Sequence, residues 1–386
     1  MNNQSLTANW NYPTRVRVGP GRIQELASAC KELGMKAPLL VTDPGLAATL
    51  MVANIMQICR AADLHVGVFS QIKANPTGEQ VMAGVKAYQL GQHDGVIALG
   101  GGSGLDAAKA IALMVGQNRP LWDFEDVGDN WKRVQVSAMA PVVAIPTTAG
   151  TGSEVGRASV ITDTEQQIKK IIFHPGMLPA IVIMDPELTL GLPPSLTAAT
   201  GMDALSHCLE AYCATYYHPM AEGIAMEGVR LIKDYLIRAY QNGNDLEART
   251  NMLVASAMGA TAFQRGLGAM HALAHPLGAL YDAHHGRLNA ILMPYVLMAN
   301  RPAIESKIIR MANYLSLANG FDGFMDWIFQ MRLELGIEHT LSQLGIDGAQ
   351  LDRVARMATE DAAAGSNPIL FDQEHYRAIL EEAKGK

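Results

Sequence analysis

Short apolar, β-branched runs alternate with helical stretches through the first half of the chain. The runs are Leu39–Thr42, His65–Phe69, Gly95–Leu99, Pro141–Ile145 and Ala180–Met184, each ending near Gly, Pro, Asp or Asn. Gly45–Ala62 and Thr77–Leu90, between the early runs, carry helical patterns. This alternation predicts a mostly parallel sheet covered by helices on both faces. After Pro193-Pro194 the period changes. Met202–Ala214, Ala221–Tyr240, Leu246–Gln264 and Met270–Leu280 repeat apolar positions at helical spacing, and strand-like runs nearly vanish. The pattern predicts an α/β N-terminal domain over residues 1–190 and an all-helical C-terminal domain over residues 191–386.

Composition narrows the class. Apolar residues make up 49 % of the chain and charged residues 17 %, enough for a sizeable core and too apolar for disorder. The net charge of −7 and the lack of a Lys/Arg cluster argue against a nucleic-acid partner. Apolar runs such as Ala180–Met184 and Ile291–Met298 are far short of the ~20 residues that span a bilayer, so no membrane partner is expected. The stretch Met1–Trp10 is polar and has no signal-peptide core. Cys30, Cys59, Cys208 and Cys213 form no C-x-x-C pair, which fits reduced thiols in a cytoplasmic protein.

Two loops carry candidate chemistry in the first half. Gly95–Leu99 runs into Gly100-Gly101-Gly102-Ser103-Gly104 and then a helical stretch. Glycines let a backbone approach a phosphate closely, and a helix N-terminus offers free N–H groups. The spacing is not G-x-G-x-x-G, so a ligand-free β–α turn is the competing reading. The loop Pro146-Thr147-Thr148-Ala149-Gly150-Thr151-Gly152-Ser153-Glu154 places hydroxyls where they could donate to phosphate or ribose oxygens, or simply turn the chain. Asp43 follows the first run; it could accept from an adenosine ribose and repel a 2′-phosphate, or form an Asp-Pro turn.

The strongest signal is in the histidines. His207, His218, His271, His275, His284 and His285 crowd into residues 207–285, out of eleven in the chain. Asp203 and His207 share one helical face at i, i+4, and His271 and His275 repeat the spacing. Carboxylate plus imidazoles at helical spacing suits a divalent metal such as Fe²⁺, Zn²⁺ or Mn²⁺. His218, before Pro219, reads as a loop histidine.

Together these segments resemble the iron-dependent, group III alcohol dehydrogenases. Gly100–Asp106 looks like that family's pyrophosphate loop and Pro146–Glu154 its second signature. Gly201–His207 and His271–Pro276 resemble its metal helices, His285–Asn289 its last ligand loop, and Asn367-Pro368 a late Asn-Pro element. The resemblance implies that Asp203, His207, His271 and His285 bind the metal, Fe²⁺ in the first place with Zn²⁺ as the alternative. It implies that His275 stands near the nicotinamide as a proton-relay group. It places Asp43, Asn75, Gly101, Gly102, Ser103, Thr147, Thr148, Thr151, Lys169 and Leu188 against NAD, with Asp106 in the same loop. Lys170 adjoins Lys169 and His284 adjoins His285, so a one-residue shift would exchange either pair.

The expected protein is therefore a dinucleotide-binding α/β domain joined to a helical metal- and substrate-binding domain. Its expected activity is metal-dependent, NAD-linked hydride transfer between a small alcohol or diol and the nicotinamide, or aldehyde reduction in reverse. In that reading the metal is a Lewis acid that lowers the hydroxyl pKa. The resemblance also implies a homodimer or larger homo-oligomer. A polyol dehydrogenase of the glycerol type is the nearest rival. A lyase similar to dehydroquinate synthase would need cations for a phosphate-like group, and the metal motifs are surrounded mainly by apolar residues, with Arg265 and Arg287 the main exceptions. A non-catalytic nucleotide- or metal-binding protein is a third possibility.

Overall fold

A computed structural model describes residues 14–385. The polar stretch Met1–Trp10 lies outside them. The described chain forms two compact units. One runs to Thr148 and resumes over Gly152–Gly191; the other combines Ala149–Thr151 with the chain from Leu192 onward.

The first unit contains strands β1 (Arg15–Val18), β2 (Leu39–Val41), β3 (Gly67–Phe69), β4 (Val96–Gly100), β5 (Val142–Pro146), β6 (Ala158–Asp163), β7 (Ile168–Phe173) and β8 (Ile181–Met184). Six of them build a sheet in the order β1-β8-β5-β4-β2-β3, every neighbouring pair parallel. Helices α1 (Leu26–Glu32), α2 (Pro44–Ala47), α3 (Leu50–Ala61), α4 (Gly78–Leu90) and α5 (Gly102–Met114) connect them. Leu26, Cys30, Ile55 and Cys59 pack against Leu40, Ile97, Leu99 and Ile145 on one face. Every residue of β4 and β5 is buried, as expected of parallel strands covered on both sides.

Three features were not among the expected elements. β1 alternates Arg and Val at the sheet margin, with Val16 and Val18 exposed. β6 and β7 form a separate antiparallel pair with alternating burial. The expected helix Gly45–Ala62 is two helices, because Thr49 adopts an extended conformation as N-cap of α3 and its hydroxyl donates to the Leu46 carbonyl.

The second unit is helical: α6 (Pro194–Cys213), α7 (Pro219–Gln241), α8 (Leu246–Ala262), α9 (Ala269–Tyr281), α10 (His285–Tyr314), α11 (Gly320–Glu334), α12 (Leu351–Glu360) and α13 (Gln373–Lys384). α6 is the central element. It is buried continuously from Gly201 to Cys213, so its polar residues Asp203, His207 and Glu210 need internal partners. The segment Ala149–Thr151 groups with this unit although it lies within the first expected domain. It packs on α6: a Cβ on Gly150 would come 2.7 Å from Thr200 Cβ, and the Gly150 carbonyl lies 3.3 Å from His207 Nδ1.

Candidate metal and cofactor sites

Three helices bring a carboxylate and three imidazoles to one point. Asp203 and His207 come from consecutive turns of α6, His271 from the first turn of α9, and His285 from the first residue of α10. Ligand atoms of Asp203, His207 and His271 lie within 4.8 Å of one another. His285 Nε2 is 3.6 Å from Asp203 Oδ1. The Asn289 amide, one turn along α10, donates to Asp203 Oδ1 at 2.8 Å and stands 3.2 Å from both His271 Nε2 and His285 Nε2. Several acceptors thus converge on a volume the size of one small group, which is the arrangement a divalent cation requires. The donor set of one carboxylate and imidazoles fits Fe²⁺ or Zn²⁺. Of the adjoining pair, His285 joins the cluster and His284 is the N-cap of α10.

Protonation follows the surroundings. Burial pushes the His207 imidazole down to about 4, with the neighbouring His271 adding to the effect against the pull of Asp203. Burial also opposes charge on His271, but Glu210 and Asp203 outweigh it and raise its pKa. An imidazole must be neutral to bind a cation, so His207 is ready to do so at neutral pH, while a cation bound at His271 would compete with its proton.

His275 lies one turn beyond His271 on α9. Its ring stacks on that of His285 at 5.5 Å between centroids, and its Nδ1 is 2.8 Å from Asp361 Oδ2.

The glycine loop occupies the crevice that the sheet topology creates. From β2 the chain moves outward to β3, then crosses back to β4 and continues through β5 to β8, so the direction reverses between β2 and β4. Ligands of open α/β sheets bind at such a point, beyond the carboxyl ends of the strands. Gly100 has φ 145°, a conformation only glycine adopts readily, and Gly101 is the N-cap of α5. A Cβ on Gly101 would sit 3.1 Å from Thr148 Oγ1, so Gly101 adjoins Thr148, and Gly102 and Ser103 follow it into the first turn of α5. Thr147 N–H donates to the Gly100 carbonyl at 3.0 Å. Asp43 lies two residues beyond β2 and caps α2, accepting from the Leu46 N–H at 2.9 Å.

The other expected cofactor positions scatter more widely. Asn75, at φ 52°, accepts from the Thr162 hydroxyl, and Thr162 pairs with Lys169 across β6 and β7. Lys170 points the opposite way, 3.0 Å from Asp163 and over the Trp122 ring. That leaves Lys169 as the lysine on the Thr162 side. Leu188 follows β8 and packs against the core, while Thr151 belongs to the helical unit. Asp106 is turned inward: its oxygens accept from Ser153 Oγ at 2.5 Å and Val160 N–H at 3.0 Å, and Lys109 Nζ lies 3.2 Å away. These bonds tie the glycine loop to β6 and to the second polar loop.

Comparison with known proteins settles the family. Residues 13–186 match the family model described as iron-containing alcohol dehydrogenase, and residues 197–384 match its C-terminal companion. A 4-hydroxybutyrate dehydrogenase of Cupriavidus necator is 38 % identical over 96 % of this chain and 98 % of its own length. The chain belongs to the iron-containing alcohol dehydrogenase family. An NAD-dependent methanol dehydrogenase of Bacillus methanolicus is 33 % identical over 97 % of this chain and 99 % of its own. A crystal structure of a 1,3-propanediol oxidoreductase superposes with TM-score 0.93 at 34 % identity, covering 98 % of this chain and 100 % of that one. As a member of this family, the chain is an alcohol dehydrogenase.

Three further polar residues, not singled out from the sequence, stand against this candidate site. Glu210 lies behind His271: Oε2 is 2.6 Å from Nδ1 and accepts from Gly268 N–H at 2.9 Å, while Oε1 accepts from Met270 N–H at 2.7 Å. Asp361 lies behind His275 in the same manner. Asn289 stands among the candidate ligand atoms. Glu210 follows His207 by three positions, so one stripe of α6 carries two candidate ligands and the partner of a third. That spacing was visible in the sequence. The approach of Asp361 to His275, across 86 residues, was not.

Proposed function

We propose that this dehydrogenase interconverts small uncharged primary alcohols or diols and their aldehydes with NAD(H), using a divalent metal held by Asp203, His207, His271 and His285. The observation that carries the reading is the convergence of a carboxylate and imidazole nitrogens from three helices around the Asn289 amide. The metal supplies Lewis acidity, and the nicotinamide takes the hydride, when both are bound. Fe²⁺ is the proposed ion, and Zn²⁺ suits the same donors.

The chain's own residues supply the rest. Gly101, Gly102 and Ser103 at the start of α5 bind the pyrophosphate through backbone N–H groups. Thr147, Thr148 and Thr151 offer hydroxyls to the cofactor, and Asn75, Lys169 and Leu188 complete its contacts. Asp43 accepts from the ribose and disfavours a 2′-phosphate. Asp106 supports the loop from inside. His275 takes the hydroxyl proton of the alcohol as the carbon loses hydride, which yields the aldehyde, and passes that proton to solvent.

The cations a phosphate-bearing substrate would need are engaged. Arg265 pairs with Glu222 at 2.6 Å and donates to the carbonyls of Ala211, Tyr212 and Tyr216, and Arg287 pairs with Glu338. This disfavours the lyase. It also favours a neutral alcohol over a hydroxy acid, although 4-hydroxybutyrate belongs in any substrate panel because of the relative that carries its name. Glycerol belongs there as the polyol rival. A homodimer or larger assembly is part of the proposal, supported by the exposed Val16 and Val18 on the sheet's marginal strand. So is a cytoplasmic location, supported by four free, buried cysteines. No helix among the described residues is long and apolar enough to cross a membrane.

The test is metal-free protein reloaded with Fe²⁺ or Zn²⁺ and assayed by nicotinamide absorbance against primary alcohols, diols, glycerol and 4-hydroxybutyrate. Turnover that depends on added metal and favours neutral alcohols supports the reading. Turnover undiminished without metal would overturn it, as would none with any substrate.

A further inference from the structure

His275 and Asp361 form a carboxylate–imidazole pair whose second carboxylate oxygen is already engaged. Asp361 ends α12 and caps the turn Ala362–Ser366. Its Oδ1 accepts from Ala363 N–H at 2.8 Å, and its Oδ2 faces His275 Nδ1 at 2.8 Å. Both side chains are largely buried, at 12 % and 14 % exposure. A carboxylate can only accept, so the proton between the two groups resides on Nδ1.

We propose that Asp361 is the positioning residue of His275: it locks the imidazole in the Nδ1–H tautomer and leaves the Nε2 lone pair for the reacting alcohol. The proposal rests on the reading of His275 as the proton-relay group. A neutral imidazole with the other tautomer would present a proton where the alcohol must deliver one. The rings of His271 and His285 flank His275 at 5.9 and 5.5 Å between centroids, which fixes its plane and leaves the tautomer as the free variable.

The rival explanation is that Asp361 only caps the turn after α12. Asp361→Asn separates the two. Asn is as good an N-cap as Asp, so a capping role predicts a nearly silent change. In the Asn variant the Ala363 N–H draws the amide oxygen to the position of Oδ1. The amide nitrogen then faces His275 Nδ1, and because it can only donate there, it moves the imidazole proton to Nε2.

The experiment uses Zn²⁺-loaded holoenzyme carrying ¹⁵N-labelled histidine. In the wild type, His275 should show a protonated Nδ1; in Asp361→Asn, a protonated Nε2. Metal content and NAD affinity should be unchanged, and kcat should fall on the order of 10²–10⁴-fold with a much smaller change in KM. In a His275→Ala background the Asn substitution should lower kcat no further. A wild-type His275 protonated on Nε2 would overturn the proposal without any variant, which covers the case in which the variant does not fold. A variant with the wild-type tautomer, or with kcat within about twofold of wild type, would do the same. His275→Ala with full activity would instead remove the proton-relay reading while leaving the tautomer measurement standing.

Discussion

Glu210→Gln tests the support of the metal centre with two separable magnitudes. The wild-type carboxylate receives three donors. Oε2 takes the Gly268 N–H and faces His271 Nδ1, and Oε1 takes the Met270 N–H. Gln has one acceptor oxygen. Its best orientation keeps that oxygen at the Oε2 position, so the amide nitrogen opposes the Met270 N–H. A buried donor left without its partner costs about 1–3 kcal/mol, which should appear in the metal-free protein as lowered stability to urea. The second effect acts on the metal. Loss of the anion behind His271 lowers the basicity of its Nε2 and removes a negative charge close to the cation. Removing such a supporting carboxylate lowers metal affinity roughly 10–100-fold, or about 1.4–2.8 kcal/mol. Competition between the protein and a chelator for Zn²⁺ measures that term directly, apart from turnover. If stability fell while Zn²⁺ affinity stayed within about twofold of wild type, Glu210 would merely anchor the start of α9.

Other substitutions test the remaining parts. His271→Ala should lose the metal while still binding NAD, because His271 lies on α9 and the glycine loop begins α5; full metal occupancy with normal turnover would remove it from the ligand set. Asp43→Gly should raise the NADP-to-NAD ratio of kcat/KM, since a 2′-phosphate carries roughly −1.5 to −2 charges. The lost cap on α2 should cost only about a few tenths of a kcal/mol, as Gly is tolerated there. Wild-type use of NADP at least as efficient as NAD would refute the role of Asp43. Glu154 is buried, its Oε1 has no hydrogen-bond partner among the described residues, and burial pushes its carboxyl from an ordinary 4.5 up to about 7. The folded protein thus keeps a proton that the unfolded chain releases above pH 4.5, so this contribution to stability is complete below 4.5 and is lost as pH rises towards 7. The whole interval corresponds to about 3 kcal/mol, and Glu154→Gln should remove that part of the pH dependence. Urea midpoints of wild type and variant that change in parallel between about pH 5 and pH 8 would show that Glu154 does not titrate in this range.

Periodicity along the chain was enough to specify the class of fold. Four of the five apolar runs correspond to interior strands of the parallel sheet, β2, β4, β5 and β8, because strands buried on both faces must be apolar at nearly every position, and the fifth is β3, at the sheet's other margin and only partly buried. β1, with charged residues alternating at the margin, escapes that rule, and so does the short β6–β7 pair. The i, i+4 spacings identified Asp203 with His207, and His271 with His275, because a helix turns neighbours four apart onto one face whatever surrounds it. The division of labour within the second pair was not local. Tertiary packing set Glu210 behind His271 and Asp361 behind His275, and brought His285 and Asn289 to Asp203 from a helix more than eighty residues away in sequence. It also turned Asp106 inward, into bonds with Ser153 and Val160. A buried polar group must find its partner wherever the fold provides one, and sequence separation places no limit on where that is.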